Sequence, residues 1–70
     1  MNQMLEAMFQ VRKATLAAWE RTADKSISTR VENGKYQIVR VKYYATGKSM
    51  VTPLSDWLTS DEVVGELNKL

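Results

Sequence analysis

Apolar residues recur at helical spacing through the first third of the chain. Met1, Met4, Leu5, Met8, Phe9, Val11, Leu16 and Trp19 fall on one arc at about 100° per residue, and Glu6, Gln10, Lys13, Ala17 and Glu20 fall opposite. The pattern predicts a long amphipathic helix from Met1 to about Thr22. Its apolar arc is about 160° wide, more than the roughly 100° stripe that covers a single core. The surplus implies a second contact, to a partner or to another copy of the chain, through Met4, Met8, Phe9, Val11 and Trp19. Arg12 projects from within that arc, where a guanidinium must snorkel, pair with an acid or face a partner.

From Ser26 the period changes to two. Two alternating runs flank Asn33-Gly34, a pair that tolerates the positive φ angles of a type I′ turn, and so predict a hairpin. With a two-residue loop, Glu32 faces Lys35, Val31 faces Tyr36, Thr29 faces Ile38 and Ile27 faces Arg40. Ala45-Thr46-Gly47 closes a second hairpin onto a short strand from Met50 to Thr52, which pairs Val41 with Val51 and Tyr43 with Ser49. Pro53 ends that strand or marks an edge. Thr59 with Glu62 three residues on forms a capping box, which starts a short helix from Ser60 to about Lys69. Val63, Val64 and Leu67 turn inward from it, and Leu70 is placed to join them. The fold class is α+β in the order α-β-β-β-α: a long N-terminal helix on a three-stranded antiparallel meander, with a short C-terminal helix, all within one domain, 1–70. Tyr36, Ile38, Arg40, Lys42 and Tyr44 share one sheet face, and Val39, Val41 and Tyr43 share the other, which is expected to be the core side. Helices on opposite sheet faces, or dimerisation, would absorb the apolar surplus.

At 70 residues the chain buries only about 60% of its unfolded surface, which makes efficient packing or self-association necessary. It has no Cys and no His, so disulfides are excluded and no metal site is expected. No uninterrupted apolar run suits a membrane span, and the composition fits a cytoplasmic protein of a bacterium, phage or mobile element. Net charge is only +2 but is unevenly spread: residues 26–50 carry five bases and one acid, and residues 51–70 carry one base and four acids. The acidic tail therefore offers an internal or intermolecular partner for the basic middle.

Without His or Cys, catalysis would need paired carboxylates, an activated Lys or a Ser-Lys pair. Capping already accounts for Asp61 and Glu62, so no catalytic residue, cofactor or small-molecule substrate is expected. Gly47-Lys48-Ser49 resembles the end of a phosphate-binding loop only superficially. Lys42 stands where that loop needs Gly, and the chain continues as strand rather than helix.

The stretch from Lys35 to Ser49 holds the most informative chemistry, because four bases and three tyrosines alternate with Ile38, Val39 and Val41 and no acid interrupts them. Arg40, Lys42 and Lys48 suit phosphates, Tyr44 suits base stacking, and Arg30 and Lys35 add positive field. A solvated sheet face with bases for solubility and edge protection explains the same residues. Two functions follow: a small non-enzymatic module that contacts nucleic acid through this face, or a regulatory adaptor or inhibitor that captures a protein partner or self-associates through the N-terminal helix. In the second, Trp57, flanked by Asp56 and Leu58 after the sheet, joins Met8, Phe9 and Arg12 as a candidate partner anchor, although its place favours a lid over the core.

Overall fold

The computed structural model describes residues 3–70, with side-chain surroundings from Leu5 onward, so the expectations for Met1 and for the Met4 side chain lie outside the described residues. The elements are α1 (Gln3–Thr22), β1 (Ile27–Glu32), β2 (Lys35–Tyr43), β3 (Ser49–Pro53) and α2 (Ser60–Asn68), the α+β order expected. α1 contains neither Gly nor Pro and is rich in Ala, Leu, Met and long polar residues, all good helix formers. It stops where Ala23 takes a left-handed conformation, φ 55°. Thr22 Oγ1 donates to the Ala18 carbonyl at 2.7 Å, and the Asp24 N–H donates to Thr22 Oγ1 at 3.2 Å, so the chain turns on its own side chain.

Asn33 and Gly34 both take positive φ, 52° and 76°, and the β1–β2 register is the expected one from Ile27 opposite Arg40 to Glu32 opposite Lys35. Gly47, at φ 86°, closes the second hairpin, with the Tyr44 N–H donating to the Lys48 carbonyl at 2.8 Å and the Gly47 N–H to the Tyr44 carbonyl at 3.0 Å. Val41 opposes Val51 and Tyr43 opposes Ser49, again as expected. β2 is the central strand. Beyond β3 the chain keeps to the same edge of β2: the Leu54 N–H bonds the Ile38 carbonyl at 2.8 Å, Ser55 Oγ accepts from the Ile38 N–H at 3.0 Å, and Tyr36 and Leu58 exchange both backbone bonds at 2.7 and 2.6 Å.

This edge run delivers the chain to Thr59, whose Oγ1 accepts from the Glu62 N–H while the Glu62 carboxylate accepts from the Thr59 N–H. α2 thus starts beside Tyr36 and turns Val63 and Leu67 into the core, whereas Leu70 is 44% exposed. The core comprises Val11, Ala14 and Ala18 of α1, Val63 and Leu67 of α2, and Ile27, Tyr36 and Ile38 of the sheet. The strand pairing puts those three sheet residues on one face, so both helices cover the same side and the helices-on-opposite-faces alternative is overturned. Val39, Val41 and Tyr43 are not the core side. Val39 is buried on the reverse face between its register neighbours Ser28 and Pro53, Val41 is half-buried, and Tyr43 is 81% exposed. The physical reason is that the amphipathic Tyr36 sinks its ring under the helices beside Ile38, which outweighs the valines opposite.

α1 lies over β1 and α2 over β2, and neither helix reaches β3. Every residue from Lys42 to Leu54 is exposed, so the distal half of β2 with β3 forms a two-stranded arm held by its own ladder.

Candidate nucleic-acid interface

The arm assembles most of the expected basic site. Cross-strand pairing puts Arg40 opposite Thr52 and Lys42 opposite Met50, and the loop bond between Tyr44 and Lys48 continues the same face. Arg40, Lys42, Tyr44 and Lys48 therefore line one side of the arm. Tyr44 is 48% exposed, and its hydroxyl reaches Met50 Sδ at 3.7 Å, which tethers the ring along the strand pair. No acid occurs between Asn33 and Ser55, so nothing on the arm neutralises the lysines. The reverse side presents Val41, Tyr43 and Val51 and is apolar.

Arg40 anchors the base of this face but is already engaged. Its Nη2 lies 3.4 Å from Asp24 Oδ2, with both side chains partly exposed. The Asp24 carboxyl is held below the usual carboxylate range by the Ser26 hydroxyl and backbone N–H, and further by Arg40. At this exposure the ion pair holds Arg40 only loosely.

Two expected contributors lie elsewhere. Arg30 is on the reverse face, where its Nε and Nη2 donate to Gln37 Oε1 at 2.8 and 2.6 Å and its guanidinium lies 5.2 Å from the Trp57 ring centroid. Gln37 is buried, and its Nε2 donates to the Ser55 carbonyl at 2.9 Å, so Arg30, Gln37 and Ser55 form one structural network. Lys35 sits at the opposite end of β2, opposite Glu32, about 23 Å of strand from Lys42. Its charge helps keep the Glu62 carboxyl below the usual range, after the larger effects of the Thr59 backbone N–H and hydroxyl. The expectation that Arg30 and Lys35 share a surface with Lys42 is corrected by the two-residue turn and the strand alternation, which send them to a different face and a different end.

The expected partner surface on α1 also divides. Val11 is 2% exposed and belongs to the core, and Trp19 is partly buried against it, donating its Nε1–H to the Ile27 carbonyl. Val11 is removed from the free surface and Trp19 only in part, because the helix turns the arc of Val11, Ala14, Thr15 and Ala18 to the core shared with α2 and the sheet. Phe9 is 60% exposed, Met8 40%, and Arg12 is exposed between them and Leu16. Trp57 is half-buried under Arg30 and is not part of the core cluster. An open groove of about 430 Å³ runs between α1 and the free edge of β1, with Met8, Arg12, Leu16 and Trp19 on one wall and Val31 and Tyr36 on the other. Sequence reasoning missed this groove, since strand periodicity does not tell which strand edge a helix will lie beside.

Among the described residues, no group of three acids is placed to hold a metal ion, and no helix is long and apolar enough to cross a membrane. What the arm offers is a group of exposed cations beside an exposed aromatic ring. No protein family, curated protein or solved structure matches the chain.

Proposed function

We propose that the chain is a small, non-enzymatic, cytoplasmic nucleic-acid-binding module whose β2–β3 arm is the contact surface. The observation that carries this reading is that Arg40, Lys42, Tyr44 and Lys48 share one side of an acid-free arm that neither helix covers. Lys42 and Lys48 engage phosphates as point charges, Arg40 exchanges its Asp24 contact for another, and Tyr44 stacks on an unpaired base. A two-stranded ribbon also has the width of a duplex major groove, so single- and double-stranded probes are both informative.

Fluorescence anisotropy with labelled single- and double-stranded DNA and RNA tests the reading. Three phosphate contacts predict a loss of roughly twenty- to fortyfold in affinity between about 50 mM and about 200 mM salt. The doubly reversed variant Lys42→Glu/Lys48→Glu, altered only at exposed positions, should lose binding and keep its melting curve. Absence of binding at low salt, binding indifferent to salt, or an unimpaired double variant overturns the proposal.

A regulatory adaptor that captures another protein is the second reading, favoured by the uncovered Leu5, Phe9 and Leu16 of α1. Glutamine at Phe9 and Leu16 should then abolish capture while leaving nucleic-acid affinity unchanged.

A further inference from the structure

α1 carries a second seam that its own fold leaves unused. Leu5, Phe9, Arg12, Leu16 and Trp19 follow one another at intervals of four, three, four and three residues. That is the seven-residue repeat of side chains that meet another helix. The seam is rotated by about two-fifths of a turn from the Val11, Ala14 and Ala18 stripe that packs on the chain's own core. Leu5, Phe9 and Leu16 are 63%, 60% and 47% exposed, and only Trp19, at the far end, turns partly into the fold.

Charge selects the occupant and its direction. A parallel copy would put Arg12 against Arg12, two guanidinium groups in one apolar layer. An antiparallel copy whose facing residues sum to about 21 sets Leu5 against the other copy's Leu16, and Phe9 against its Arg12. The arginine in the seam then lies on an aromatic ring, a favourable cation–π contact. Glu6 and Lys13 occupy equivalent flanking positions, each one residue after a seam residue, and in antiparallel pairs equivalent flanks face each other. Glu6 of each copy therefore meets Lys13 of the other, twice by symmetry. Both residues are exposed, and Lys13 already leans along this side, with Nζ 5.8 Å from the Phe9 ring centroid.

We propose that a second copy of this chain covers the seam, with the two α1 helices antiparallel and Glu6 paired to Lys13 across the two-fold axis. The pairing rests on α1 alone and is independent of the arm. Arg12 in the seam weakens the dimer and fixes its register, as a single polar seam residue does.

Sedimentation equilibrium from micromolar to millimolar chain concentration tests this, with melting curves alongside. The native chain should show a reversible monomer–dimer equilibrium. Glu6→Lys and Lys13→Glu should each weaken it about tenfold, because two attractive contacts become repulsive. An equimolar mixture of the two variants should restore native affinity, since each chain then supplies the charge its partner lacks. Phe9→Gln/Leu16→Gln should abolish the dimer and, at dilutions where the native chain is monomeric, leave the melting curve unchanged. A native chain monomeric throughout, single variants that dimerise as the native chain does, or a mixture no tighter than its components would each overturn the proposal.

Discussion

Replacing Arg21 by Met tests whether α1 and α2 are held together by directed hydrogen bonds as well as by packing. α2 has nine residues, too few to persist alone in water, and its last turn contains no basic residue. Arg21 of α1 fills that role from outside: Nη2 donates to the Leu67 carbonyl at 2.8 Å and Nε to the Leu70 carbonyl at 3.0 Å. The Nη2 bond is part-buried and charge-assisted, worth about 1 to 1.5 kcal/mol, whereas the exposed Nε bond adds only a few tenths of that order. A positive charge against the negative end of the α2 dipole adds about 0.5 kcal/mol. Met keeps most of the stem's packing, so the expected loss, about 2 kcal/mol, belongs to the guanidinium. For a chain of this length that is a large share of a total of roughly 4 to 10 kcal/mol. The midpoint of thermal unfolding, followed by far-UV circular dichroism, should fall by about 8 to 16 °C. Arg21→Lys, which keeps the charge but not the fork, should recover about half. A Met variant within about 0.5 kcal/mol of the native chain, or Lys and Met variants of equal stability, would refute the directed-bond account.

Three further outcomes follow from the same geometry. Leu67 is fully buried between the helices, so Leu67→Ala should cost about 3 kcal/mol in a urea titration, and a loss below about 1 kcal/mol would remove it from the core. Ala23 ends α1 at φ 55°, a conformation that penalises a Cβ, so Ala23→Gly should raise the urea midpoint by about 1 kcal/mol equivalent with an unchanged slope; a lower midpoint would contradict the strain argument. Asp24 and Glu62 both have carboxyls held below their ordinary values, Asp24 by Ser26 and then Arg40, Glu62 by Thr59 and then Lys35. The unfolded chain binds those protons more readily, so their stabilisation is complete above the unfolded carboxylate range, near about pH 4, and is lost as pH falls through the folded values. Asp24→Asn should flatten that acid limb, and an acid limb identical to the native one would exclude Asp24 from it.

The local parts of this fold were legible because neighbouring residues decide them. Asn33-Gly34 fixed the first register, Gly47 the second, and Thr59 with Glu62 the start of α2. What the sequence did not reveal depends on contacts made across long stretches of chain. The choice of core face turned on whether Tyr36 or the valines opposite would be covered, and that depends on Leu58 returning to pair with Tyr36. Arg21 bonding to Leu67 leaves no periodic trace. In the basic run, alternation correctly grouped Arg40, Lys42 and Tyr44, but residue type alone could not show that Arg30 is committed to Gln37 and Trp57 on the reverse face. The wide apolar arc of α1 was legible as a surplus, yet its division into a core stripe through Val11 and an outer seam through Phe9 required the sheet to be in place.

The arm contributes little to stability, which makes the proposed contact testable apart from the fold. Tyr43, Tyr44, Met50 and Val51 are 81%, 48%, 51% and 44% exposed on a hairpin that no helix covers, so folding gains little from their apolar surface. Polar strand formers such as Thr would hold the same ladder and keep the arm soluble. On the proposed reading their size serves binding, and the two sides of the arm distinguish which side makes the contact. Tyr44 stands with Lys42 and Lys48, whereas Tyr43 stands with Val41 and Val51. If nucleic acid is the partner, Tyr44→Thr should weaken single-strand binding about tenfold, the worth of one stacked base, while Tyr43→Thr leaves it unchanged. Both variants should melt as the native chain does. Equal losses at the two tyrosines would mean that the arm grips nucleic acid from both sides, and a loss at Tyr43 alone would move the contact to the face of Val41 and Val51 and refute its placement beside Lys42 and Lys48.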